Sequence, residues 1–209
     1  MRSNTSTLLR AGVITPVALA AALAFAGTAN AAVSVAWTCK GTLGPFSQIS
    51  NMTTSVTGTA PASVTMTTPP TPPPAVAITI APGSSTVPST AAGVTVNNIN
   101  TMKMLIPVPA NSSYVSASTS GGTVSGSATL VGSNVVLTIP GPITGGSSFT
   151  PPAVTINVTA NAVGSITSKY AGTSYTDPGM TFTTNTSIGN VATACFASPN
   201  PTLTTTTVT

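Results

Sequence analysis

Apolar and polar residues alternate along most of this chain in short runs, the period of strands with one face in a core and one in solvent. Residues 33–39 place Val33, Val35, Trp37 and Cys39 on one face. Residues 153–160 do the same with Val154, Ile156 and Val158. Residues 113–119 alternate with Tyr114 out of phase with Val115. Residues 75–80 form an apolar strand that Ala81-Pro82-Gly83 ends in a turn. The longest strand-like stretch, 94–108, carries Asn97-Asn98, where a bulge or bend is expected. Residues 123–131 and 134–139 read as a hairpin around Gly132-Ser133. Segments 52–59, 62–67, 166–170, 180–184 and 188–196 complete the set. The pattern predicts an all-β protein, an antiparallel β-sandwich of about ten strands.

Composition agrees with the period. Thr, Val, Ser, Ala and Gly dominate, and branched β-carbons suit pleated strands better than helices. Recurrent Gly and Pro divide the chain into strand-length pieces. The run Pro69-Pro70-Thr71-Pro72-Pro73-Pro74 favours a polyproline conformation and cannot occupy a central strand. The segment before it is too short for a large core of its own. It therefore reads as a stiff loop crossing between two sheets rather than a hinge between domains. Residues 198–209, rich in Pro and Thr, read as a flexible tail.

The first residues follow a different grammar. Arg2 and Arg10 precede an apolar stretch at 11–26, and Ala29-Asn30-Ala31 supplies the small-x-small pattern of an export cleavage site. Residues 1–31 are expected to form a signal helix that is cleaved after Ala31. The apolar run is shorter than the ~20 residues of a spanning helix, and Pro16 interrupts it. Cleavage takes 31 of the 209 residues and leaves 178, one domain spanning 32–197 plus the tail. No second apolar run reaches spanning length, so no permanent helical membrane span is expected after cleavage.

Removal of Arg2 and Arg10 lowers the net charge from +4 to +2. What then remains titratable is one acid, Asp177, and three lysines, Lys40, Lys103 and Lys169, with no Arg, His or Glu. Three scattered lysines make no basic patch, so nucleic acid is not an expected partner. General acid–base catalysis and most metal sites need side chains that are almost absent here. A Ser-His-Asp triad has no histidine. Ser168 precedes Lys169 directly, but neighbours in a strand face opposite sides. Asp177 opens Asp-Pro-Gly and reads as a turn former. A single carboxylate cannot act as the two-carboxylate pair of glycosidases. Neither a phosphate-binding loop nor a dinucleotide fingerprint occurs. No catalytic, cofactor-binding or metal-binding residue is therefore assigned, and the protein is expected not to be an enzyme.

Two cysteines, Cys39 and Cys195, stand near the two ends of the exported part. Export favours a bridge between them, closing nearly the whole domain. Two buried thiols or an intermolecular bond are the alternatives.

The segment Ile106-Pro107-Val108-Pro109-Ala110-Asn111-Ser112-Ser113-Tyr114-Val115-Ser116-Ala117-Ser118, followed by Gly121-Gly122, resembles a passage of immunoglobulin-like domains in bacterial surface proteins. Gly146-Ser147-Ser148-Phe149 leading into Val154-Thr155-Ile156-Asn157-Val158 is similar to the strand pair that follows it there. With its export signal, Trp37-Thr38-Cys39 and a late cysteine, the whole exported chain resembles a group of secreted actinobacterial proteins of immunoglobulin-like sandwich fold. The resemblance implies an immunoglobulin-like fold and transfers no catalytic or binding residue.

These readings converge on a non-enzymatic exported sandwich with a structural, adhesive or self-associating role at the cell surface or outside the cell. The scarcity of charge leaves strand edges without their usual guards. Self-association, or pairing with an envelope or host surface partner, is therefore expected. The alternative is a carrier for an apolar ligand such as a lipid, with Met52, Met66, Met102, Met104 and Met180 as adaptable lining. The opposing expectation is that these methionines fill the core.

Overall fold

The computed structural model describes residues 28–67 and 72–209. Most of the expected signal segment, and residues 68–71 with the first half of the proline run, lie outside the described residues. Among those described there is no helix, and the chain runs through seventeen strands. They are β1 (Thr28–Leu43), β2 (Phe46–Pro61), β3 (Ser63–Val64), β4 (Ala75–Pro82), β5 (Ser85–Thr86), β6 (Thr90–Ala91), β7 (Val94–Pro107), β8 (Ser112–Ser120) and β9 (Ser127–Val131). There follow β10 (Asn134–Ile139), β11 (Ile143–Thr144), β12 (Ser148–Phe149), β13 (Ala153–Ala160), β14 (Gly164–Ser168), β15 (Met180–Thr186), β16 (Gly189–Ala197) and β17 (Thr204–Val208).

Ten of these form one continuous path in the order β8-β13-β4-β2-β1-β16-β15-β7-β10-β9, every neighbouring pair antiparallel. The path curls until its end strands adjoin, where the Thr119 hydroxyl donates to the Gly126 carbonyl at 2.9 Å. The result is a sandwich-like near-barrel whose walls enclose one core. Alternation dictates which residues enter it. Val35, Trp37 and Cys39 of β1, Val76, Ile78 and Ile80 of β4, Val135, Leu137 and Ile139 of β10, and Val154, Ile156 and Val158 of β13 are all buried. The two segments that resemble immunoglobulin-like domains become neighbours, as β8 pairs along β13.

Local chemistry sets the joints. Leu43 pairs with Phe46, so the β1–β2 hairpin turns on Gly44-Pro45, and Gly44 has φ +56°. That is the arrangement of a tight hairpin turn with glycine first and a residue of fixed negative φ second. At the expected bulge, Asn185 pairs with Asn98 and Thr186 with Val96, leaving Asn97 as the extra residue with no register partner on β15.

A second sheet corrects the expectation of a flexible tail at 198–209. β17 lies between β14, antiparallel, and β3, parallel. Leu203, Thr204, Thr206 and Val208 are buried. The threonines are held by internal hydrogen bonds: Thr204 shares one with the Ser168 hydroxyl at 2.6 Å, and Thr206 donates to the Pro61 carbonyl at 2.7 Å. Buried hydroxyls with partners are tolerated in a core, so a Thr-rich segment can be interior. No helix of the described residues is long and apolar enough to cross a membrane.

Candidate functional site

The bridge between Cys39 and Cys195 is present, with an S–S distance of 2.07 Å across 156 residues of chain. It joins directly opposed residues of the adjacent strands β1 and β16, whose Cα atoms are 4.0 Å apart. Immunoglobulin domains place their bridge between two sheets instead. Trp37 lies one inward position before Cys39, its indole N–H donating to the Thr54 hydroxyl at 3.1 Å. Its ring meets that of Tyr170 at 5.0 Å. Burial pushes the Tyr170 phenol well above its usual range.

The bridge also sets the register of the outer surface. Cys39, Cys195, Met180 and Met104 form one inward row across β1, β16, β15 and β7. The next row, Lys40, Ala194, Thr181 and Lys103, must point outward. Thr42, Ala192 and Thr183 make a second outward row. Over them the loop between β14 and β15 raises a wall. Its Tyr175 packs edge-on against Phe196 at 5.2 Å, and the Lys40 ammonium lies 5.9 Å from the Tyr175 ring centroid. Loop ends are pinned where Ala171 N–H donates to the Leu105 carbonyl and Gly179 N–H to the Cys195 carbonyl, both at 2.9 Å.

The hollow between wall and strands has a volume of about 660 Å³ and is open to solvent. Its lining joins Lys40 and Lys103 with Thr42, Thr101, Thr181 and Thr183. Three strand spacings separate the lysine backbones, about 14 Å. The groove offers two ammonium groups, a row of hydroxyls and an aromatic ring, and its lining holds no carboxylate or imidazole. Such a surface presents donors suited to acceptor-rich ligands. Nothing in the sequence marked it, because its residues come from four strands and one loop and meet only through pairing register and the packing of that loop.

The remaining sequence candidates are kept apart. Ser168 is buried against Thr204, whereas Lys169 is exposed. Asp177 belongs to its turn: the Thr173 hydroxyl donates to its Oδ2 at 3.0 Å, and its own N–H donates to the Ser174 hydroxyl at 3.1 Å. Met102, Met104 and Met180 are core residues, and Met52 and Met66 pack half-buried against the core. Among the described residues no group of three or more His, Cys, Asp or Glu gathers to hold a metal.

No protein-family model matches the chain, and no curated protein matches it. Among solved structures, a Corynebacterium diphtheriae protein provisionally described as membrane anchored is similar over 88% of this chain, at 16% identity and a TM-score of 0.48. The alignment spans 38% of that protein, so this chain corresponds to well under half of its length.

Proposed function

We propose that this is a non-enzymatic, exported β-sandwich protein with a structural, adhesive or self-associating role at the cell surface or outside the cell, of the secreted actinobacterial immunoglobulin-like kind. The outward groove carries the reading. It collects two of the three lysines of the exported chain beside Tyr175 and a row of threonine hydroxyls. That chemistry suits an anionic, hydroxyl-bearing polymer such as an acidic envelope glycan, held by charge and hydrogen bonds without turnover. The disulfide fits an oxidising compartment, and packing of the methionines into the core favours this reading over carriage of a lipid.

The test is sedimentation of the purified protein with isolated cell envelope and with a soluble acidic polysaccharide. Binding is expected to fall as salt rises and to be lost in the Lys40→Ala/Lys103→Ala double variant, with the polymer recovered unmodified. Binding that ignores both lysines, or steady conversion of the polymer, overturns the proposal.

A further inference from the structure

We propose that the free edge of β2 over residues 47–53 joins two copies of this chain by antiparallel strand pairing. β4 covers β2 only at residues 56–59, and Gly83 N–H extends that cover to the Ser55 carbonyl. Below Ser55, β2 is paired on one side alone, with β1. Because the Ser55 carbonyl faces away from β1, alternation turns the N–H and C=O groups of Thr53, Asn51, Ile49 and Ser47 the same way. The Ile49 carbonyl is met there only by the amide of Gln48, at 3.2 Å, a contact an incoming strand displaces.

This edge lacks the usual guards against pairing. No charged residue occurs from Gly41 to Met102, and β2 holds no proline before Pro61. Two large apolar side chains stand in solvent on it, Phe46 at 75% and Ile49 at 56% exposure. A second copy resolves both features at once. Antiparallel pairing centred on Ile49 sets Ile49 opposite Ile49 of the other copy, Ser47 opposite Asn51 and Phe46 opposite Met52. The two-fold arrangement makes about six main-chain hydrogen bonds and covers both exposed apolar groups, with no like charges opposed. At the ends of the sheet β8 and β9 approach each other, through the Thr119–Gly126 hydrogen bond.

The inference deepens the self-associating aspect of the proposed function, and its test is independent of the groove. Analytical ultracentrifugation of the exported chain is expected to show a concentration-dependent dimer. Ile49→Lys, which opposes two ammonium groups, and Ile49→Pro, which deletes an outward N–H, are each expected to weaken it about tenfold or more. Val163→Lys, at another exposed site, is expected to leave it unchanged, and circular dichroism checks that all variants keep the fold. A monomer at every concentration overturns the inference, whether or not the edge then takes a strand from another protein. So does a dimer that both Ile49 variants leave intact. Groove binding that survives in the lysine double variant, with the dimer retained, fails the proposed function alone.

Discussion

Tyr170 packs its ring 5.0 Å from that of Trp37, inclined at 55°, and buries its hydroxyl without a hydrogen-bond partner. The two rings are matched in shape but not in polarity, since the Trp37 N–H is satisfied by Thr54. Tyr170→Phe is therefore expected to keep the packing and to leave stability unchanged or raise it by ~1 kcal/mol. Thr54→Val strands the indole N–H and is expected to cost ~1–3 kcal/mol. Denaturant titration of the two variants reads both signs.

The same phenol predicts an alkaline limb. Its folded pKa lies above the ordinary value near 10 because burial disfavours the phenolate. Above that ordinary value the unfolded chain releases a proton that the folded chain retains. The contribution is thus fully present below about pH 10 and is lost as pH rises toward the folded value, with a slope of up to ~1.4 kcal/mol per pH unit. Denaturation midpoints taken from pH 9 to 12 are expected to fall more steeply in the native protein than in Tyr170→Phe.

Replacing both cysteines, as Cys39→Ala/Cys195→Ala, opens a loop of 156 residues. Chain entropy puts the loss at about 5 kcal/mol as an upper figure. β1 and β16 remain paired along residues 37–42 and 192–197, so the double variant is expected to fold to the same sheet at a lower melting temperature. Calorimetry with and without a reductant measures the difference, and reductant is expected to change only the native protein.

Two glycines of β2 and the β9–β10 turn separate close packing from backbone strain. A Cβ at Gly58 would collide with the Leu203 carbonyl, so the segment entering β17 must move to admit one. Gly132 has open space around it but φ +60°. Gly58→Ala is expected to destabilise by ~2–3 kcal/mol through displaced backbone, and Gly132→Ala by ~1–2 kcal/mol through left-handed geometry. Faster amide exchange at β14 and β17 is expected only in the first.

How much of this was legible beforehand differs from element to element. Residues 33–39 and 153–160 alternate cleanly, so β1 and β13 could be read together with their inward faces. Compartment logic found the Cys39–Cys195 pair, though not that its strands are neighbours. The lower half of the β1–β2 hairpin went unread. Residues 46–51 are exposed on both faces, so nothing there imposes a period, and Gly44-Pro45 alone signalled the turn. β17 was misread because threonine counts as polar until a partner such as Ser168 or Pro61 is known. The groove required the pairing of four strands, which no local motif encodes.

The sulfur link between β1 and β16 has a mechanical consequence. Tension applied to the polypeptide before Cys39 and after Cys195 passes from one cysteine to the other through covalent bonds and bypasses the loop between them. Only the flanking segments, including β17 and the first half of β1, can be drawn out. A chain so built is expected to yield by a short, fixed extension and then stand taut, its lysine-bearing groove undisturbed under load.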